Sequence, residues 1–217
     1  MYKNCVKTVF DFLTALICLP FFILLFIPIA IAIKIEDGGP IFYCGERVGR
    51  NGKPFKMMKF RSMIVNAPDI RLSDGSTYNG ENDVRVTKVG KFLRKTSLDE
   101  IPQILNILAL QMSFIGPRPD PLDWLDKYGE NERDFLKLRP GITGYNQAYF
   151  RNSADGQQKI ENDNYYYRKI SLWLDIKILF KTFFSVIKKE NVNVDESRTV
   201  DSQNAESMDE SNGDENA

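Results

Sequence analysis

Asp99 and Glu100 are adjacent carboxylates, and three residues further on the chain reads Gln103. Two carboxylates side by side can hold a hard cation or serve as acid, base or nucleophile. Arg118 sits between Pro117 and Pro119, which pre-set the backbone on both sides. A rigid loop presenting one guanidinium suits bidentate grip on a phosphate, although the same residues could make an ordinary connector. Arg139-Pro140-Gly141-Ile142-Thr143-Gly144 is a second basic turn. The chain has no histidine, which excludes a Ser-His-Asp triad, a Cys-His pair and any histidine metal site. Three cysteines (Cys5, Cys18, Cys44) cannot build a four-cysteine zinc site or a disulfide framework. Catalysis would therefore rest on carboxylates, Lys, Arg, Tyr, Ser or a cation such as magnesium.

The elements that must position these groups can be read in outline. Leu98, Ile101, Leu105 and Leu108 recur at helical spacing within Lys91–Met112 and predict one apolar face. Pro102 is best tolerated in a first turn, so a helix should start near Leu98 or Asp99, with both carboxylates at its positive end. Ser97 and Glu100 equally fit a capping box, in which case they serve the helix. Both readings stand at this point. From Ile41 to Met63 short apolar runs flank Gly49, Asn51 and Gly52, which predicts a hairpin. Arg47, Arg50, Lys53, Lys56, Lys59 and Arg61 make it basic: either a solvated face, or a phosphate or lipid-headgroup site. Asn66 to Asp83 reads as a loop.

The ends of the chain differ sharply. Phe12 to Ile33 is 22 residues without a charge, about 33 Å long as a helix and enough to cross a hydrocarbon core. Pro20 and Pro28 lie inside it and can kink it. Lys3 and Lys7 precede the run and Lys34 follows it, so the charges give no orientation and permit both ends on the cytoplasmic side. Spanning and re-entrant topologies both fit. Ile170 to Lys189 is amphipathic, with Trp173, Ile176, Phe180, Phe183, Phe184 and Ile187 on one side; it could lie in a membrane interface or pack in a core. Formal charge is 29 basic against 29 acidic. Residues 191–217 hold eight of the acids and one base, Arg198, which leaves 28 basic and 21 acidic groups, a net +7, on residues 1–190. The acidic tail is too polar to bury a core and is expected to be disordered; the basic body suits an anionic membrane surface.

Taken in order, the motifs resemble the bacterial sugar transferases, the monotopic phosphoglycosyl transferases of polyprenyl phosphate. The matching stretches are the proline-containing apolar helix ending in Lys34, Gly39-Pro40-Ile41-Phe42, Arg47-Val48-Gly49, Lys59-Phe60-Arg61-Ser62-Met63 and Arg94. They continue with Ser97-Leu98-Asp99-Glu100-Ile101-Pro102-Gln103, Met112 to Pro119, Arg139 to Gly144, Gln147, Arg151-Asn152, Asp163, Tyr166 and Asp175. The likeness covers roughly residues 2–189. It departs from the usual pattern at Tyr145-Asn146-Gln147-Ala148-Tyr149-Phe150, at Gly156, and in the middle of the anchor, where Leu19-Pro20 and Ile27-Pro28 are the candidates for a kink.

The resemblance implies a mostly helical α+β fold with a proline-kinked re-entrant N-terminal helix, a small β-hairpin and amphipathic interfacial helices. It implies an anchor over 1–36 and a cytoplasmic phosphoglycosyl transferase domain over 37–190, at the bacterial inner (plasma) membrane, with the disordered tail expected from its composition over 191–217. The implied reaction moves a sugar-1-phosphate from a nucleotide diphosphate sugar, with UDP the expected nucleotide, to polyprenyl (undecaprenyl) phosphate. Asp99 matches the family nucleophile and Glu100 its partner carboxylate, the two holding Mg2+. Arg61, Arg94 and Arg118 match phosphate-binding positions; Arg139, Gln147, Arg151, Asn152 and Asp163 fall in the nucleotide-sugar region. The partners expected are the two substrates, the lipid bilayer and downstream glycosyltransferases, and no nucleic acid. The rival reading is a non-catalytic membrane scaffold for glycan assembly enzymes.

Overall fold

The uncharged run forms the middle of one 31-residue helix, α1 (Lys7–Asp37), preceded by a π-helical turn at Tyr2–Val6. These come from a computed structural model that describes residues 2–70, 78, 80, 83–150 and 154–187. The expected tail over 191–217 lies outside the described residues, as does most of the expected loop between Asn66 and Asp83. Helix α1 continues unbroken through Pro20 and Pro28 and stops at Gly38, whose φ of 69° is left-handed and whose N–H caps the Lys34 carbonyl at 3.1 Å.

One side of α1 is packed along its whole length against the rest of the chain, through Ala15, Phe22, Ile29, Ala30 and Ile33. The other side leaves Phe10, Ile17, Phe21, Leu24 and Ile31 bare. Both ends are tied to the same body. At the first turns, Lys7 Nζ lies 2.9 Å from Asp175 and Ser113 Oγ donates to Asp11 at 2.7 Å. At the last turn, Glu36 accepts from the Lys88 and Val89 N–H groups at 2.6 and 3.1 Å, and Asp37 pairs with Arg61.

The hairpin forms where turn chemistry placed it. β1 (Phe42–Val48) pairs antiparallel with β2 (Pro54–Phe60), Phe42 opposite Phe60. Its turn holds Asn51 at φ 58° and Gly52 at φ 75°. Phe42 and Phe60 stack with Phe22 and Phe26 of α1, with ring centroids 5.6 to 6.3 Å apart. This cluster fastens the hairpin to α1.

The helix expected to start near Leu98 or Asp99 begins later, at Gln103. α2 (Lys88–Lys95) ends at Thr96, a 3-10 turn covers Leu98–Glu100, and α3 (Gln103–Leu108) begins after Pro102. The break is at Ser97, which sits at φ 57° and cannot continue a right-handed helix. β3 (Ser113–Ile115) then pairs in parallel with β4 (Gly141–Thr143), two short strands that approach at glycines. A Cβ on Gly141 would lie 2.1 Å from the Gly116 nitrogen.

α4 (Tyr145–Tyr149), α5 (Gly156–Lys169) and α6 (Leu172–Ile187) close the body. Asp155 caps α5 by accepting from the Gln158 N–H at 2.8 Å. Ile178 of α6 is buried, whereas Trp173 is 65 % exposed and Phe180, Phe183 and Phe184 are exposed beside it. The aromatic side of α6 is therefore no core face. Among the described residues the fold is mostly helical, with two two-stranded sheets.

Candidate active site

The carboxylate pair sits on the 3-10 turn between α2 and α3, so the capping box does not form. Ser97 caps nothing, because its left-handed backbone turns it away from the helix start. Glu100 reaches across the fold instead. Its Oε1 accepts from Lys59 Nζ of β2 at 2.8 Å and from Arg118 Nη2 at 2.7 Å, with Arg118 Nη1 3.5 Å from Oε2. Burial alone would raise Glu100; the Arg118 guanidinium and the Lys59 ammonium outweigh it and hold the carboxyl far below the usual range.

Asp99 is treated oppositely. It is 8 % exposed, and its carboxylate accepts no hydrogen bond among the described residues. Burial raises it above an ordinary aspartate, Lys59 pulls it down, Glu100 pushes it up, and Arg94 and Arg118 pull it down. The net direction is upward. Arg94 stands on the last turn of α2 with Nε 3.0 Å from Ser62 Oγ. Asp99 is thus a poorly solvated carboxylate beside three cations, the setting of a group kept for an incoming partner.

The Arg118 loop is held at both sides. The Gly116 N–H donates to Thr143 at 2.9 Å and the Gly141 N–H to Pro117 at 2.8 Å. The Asp120 carbonyl accepts from Val48 at 2.8 Å. The Asp120 side chain accepts from Tyr128 Oη at 2.5 Å and Lys159 Nζ at 2.6 Å. Arg118 itself keeps 41 % of its side chain exposed, open to a ligand. Lys159 also reaches Asp163, at 3.2 Å. Burial pushes Asp163 up to about 6, since the single ammonium serves Asp120 first and leaves one Asp163 oxygen without a donor.

The structure therefore gathers Asp99, Glu100, Arg94 and Arg118, and joins Asp163 to them through Lys159 and Asp120. Arg61 lies apart from this group. Its guanidinium is closed by Asp37 and by the carbonyls of Pro40 (2.5 Å) and Met63 (3.2 Å). Arg139 is at the other end of α3, donating to the Leu110 carbonyl at 2.8 Å and to Thr8. Gln147, on α4, has both amide atoms buried without a partner; a Cβ on Gly144 would meet its Oε1 at 2.9 Å and the Gly116 carbonyl at 2.1 Å. Arg151 and Asn152 lie outside the described residues. Lys59, Asp120, Lys159 and Tyr128 were not singled out individually as site residues. Lys59 carried a signal: it shares strand parity with the buried Phe55 and Met57, and a lysine on an inward face needs an acidic partner.

Comparison with known proteins bears on what this arrangement serves. The model of the family described as bacterial sugar transferase matches residues 2–189. The chain belongs to that family. Among relatives, an uncharacterized sugar transferase of Haemophilus influenzae is 42 % identical over 183 residues, covering 77 % of this chain and 39 % of its own. A UDP-N-acetylgalactosamine-undecaprenyl-phosphate N-acetylgalactosaminephosphotransferase of Aeromonas hydrophila is 38 % identical over 188 residues, covering 84 % and 44 %. The exopolysaccharide production protein ExoY of Rhizobium meliloti is 40 % identical over 191 residues, covering 83 % and 84 %. This sugar transferase chain thus spans less than half of the first two relatives and most of the third.

Proposed function

We propose that the chain is a phosphoglycosyl transferase that moves a sugar-1-phosphate from a nucleotide diphosphate sugar, UDP being the expected nucleotide, to polyprenyl phosphate. The observation that carries the reading is Asp99, a buried carboxylate without a hydrogen-bond donor among the described residues, between Lys59, Arg94 and Arg118, in a chain with a membrane-sized apolar helix. The name of the Aeromonas relative, which pairs a UDP-sugar with undecaprenyl phosphate, supports it.

An Asp99 oxygen attacks the phosphorus that bears the sugar. The bond from that phosphorus to the bridging oxygen breaks, and nucleoside monophosphate leaves with the electron pair. The sugar phosphate stays on Asp99 as an acyl phosphate. An oxygen of polyprenyl phosphate then attacks the same phosphorus, freeing the Asp99 carboxylate and forming polyprenyl diphosphate sugar. Arg118, half open to solvent, and Arg94 neutralise phosphate charge as it is redistributed. Glu100, pinned by Lys59, keeps Arg118 in place.

The donor set fits magnesium, which takes oxygen ligands: Asp99 offers free oxygens, and Glu100 retains lone pairs beyond its two donors. Asp99 and Glu100 would hold the ion, which when bound supplies further neutralisation of the diphosphate.

We place the body on the cytoplasmic face of the plasma membrane, with α1 entering and leaving one leaflet. The buried polar contacts at Lys7 and Asp11 and those at Glu36 and Asp37 support this, because one body holds both ends. A bilayer-crossing helix would put them on opposite sides. The exposed aromatics of α6 suit the interface beside it. On this reading the step commits a sugar to a membrane-borne glycan, for later glycosyltransferases to extend. The test is release of nucleoside monophosphate from a panel of nucleotide sugars with polyprenyl phosphate present. Release with one or more donors is expected; release with none, from folded protein, contradicts the proposal.

A further inference from the structure

A second group of cations lies far from Asp99. Where β3 and β4 begin, a shallow cleft opens between the first turns of α1, the hairpin turn and the segment entering β4. Lys3, Lys7, Arg50, Lys137 and Arg139 line it, against one carboxylate, Asp11. Three of the cations are already engaged: Lys7 with Asp175, Lys137 with Asp134, and Lys3 with the Tyr167 carbonyl and ring. The two guanidiniums are held too, but each keeps donors to spare. Arg50 is oriented through Nε by the Lys137 carbonyl at 3.0 Å, and Arg139 through Nε by the Leu110 carbonyl at 2.8 Å and through Nη1 by Thr8. Both Nη groups of Arg50 and Nη2 of Arg139 have no acceptor among the described residues. Burial and then the neighbouring Arg50 charge pull Arg139 below the ordinary arginine value, and Asp11 only partly relieves them. Two like charges steered together by main-chain carbonyls, with donors to spare, suit the oxygens of one anion.

The cleft is separate from the dyad. None of Lys59, Arg94, Asp99, Glu100 and Arg118 lines it. Lys7, Thr8 and Asp11 of its wall belong to the first turns of α1, and the uncharged run starts at the next residue, Phe12. With that run in a bilayer, the cleft would stand at headgroup depth, where the available phosphate bears acyl chains.

We propose that this cleft binds the phosphate of a membrane phospholipid, gripped by Arg50 and Arg139. The lipid source rests on α1 lying in the membrane; the phosphate chemistry does not. The full chain in an uncharged detergent would be titrated with dihexanoyl phosphatidylglycerol and, separately, with glycerol-3-phosphate, binding being read by calorimetry. Saturable binding of the lipid is expected, at least tenfold tighter than glycerol-3-phosphate. Arg50→Gln should weaken it by roughly tenfold, and Lys91→Gln, an exposed charge on α2, should leave it unchanged. Arg139 also ties α3 to α1, so the exposed Arg50 carries the decision. Parent-like affinity in Arg50→Gln, or no saturation with either probe, overturns the site. Equal affinity for the two probes overturns its assignment to lipid. No nucleotide sugar is present, so the outcome is independent of monophosphate release.

Discussion

Replacing Lys59 by methionine removes an ammonium while keeping most of the side-chain volume. In the parent, Lys59 and Arg118 converge on one oxygen of Glu100, at 2.8 and 2.7 Å, and the Lys59 and Glu100 side chains are each 19 % exposed. A hydrogen bond to a charged group so little screened is worth about 1.5–3 kcal/mol. If it is realised in the transition state, losing it lowers kcat/KM roughly ten- to a hundredfold near neutral pH. The pH profile carries the sharper information. Burial raises Asp99, and Lys59 is the strongest of the cations that pull it back. Without Lys59 the nucleophile holds its proton to higher pH, so the acidic limb of kcat/KM moves to the alkaline side. The assay is initial-rate release of nucleoside monophosphate across the pH range, with the melting temperature of the variant as a check on folding. Activity should recover in part as pH rises. A limb that stays in place, or a loss equal at every pH, refutes the claim that Lys59 tunes Asp99.

Arg61→Met should cost about 2 kcal/mol in thermal unfolding in detergent, a buried-pair penalty reduced because Asp37 is 28 % exposed. Gly90→Ala places a Cβ 2.0 Å from the Ser62 carbonyl oxygen, and should destabilise by about 1–3 kcal/mol and reduce monophosphate release by shifting Arg94. For Asp163, the folded value of about 6 lies above the ordinary 3.8, so its stabilising contribution is present below about pH 4 and fades as pH rises through 6. Two pH units correspond to roughly 3 kcal/mol at most. Asp163→Asn should therefore be more stable relative to the parent at pH 7.5 than at pH 4 in urea titrations. An unchanged difference would show that Asp163 titrates normally.

What could be read in the chain divides by distance along it. The hairpin follows from Asn51-Gly52, the Arg118 loop from its two prolines, and the middle of α1 from an uncharged run. The dyad turn was misread because Ser97 adopts a left-handed backbone that no local pattern announces, so the carboxylates stand before a helix rather than within its first turn. The pairings that decide the roles of individual cations are non-local. Arg61 meets Asp37, 24 residues away, and Lys59 meets Glu100, 41 residues away. One basic cluster in the hairpin is thereby divided: Lys59 goes to the dyad, Arg61 to the end of α1, and Arg50 to the cleft at its start. Helical backbone continues through Pro20 and Pro28, where a kink was expected, and Phe26 between them packs on Phe42 and Phe60; continuous helix accommodates a bent path through the two prolines as well as a straight one.

The central claim is that Asp99 carries the sugar phosphate between the two half-reactions. Intact-protein mass spectrometry after incubation with an active nucleotide sugar, magnesium and no polyprenyl phosphate tests it most directly. The account predicts an adduct with the mass of one sugar phosphate, mapped to Asp99, discharged on adding polyprenyl phosphate and missing in Asp99→Asn. Full turnover by Asp99→Asn, or an adduct on another residue, would contradict it.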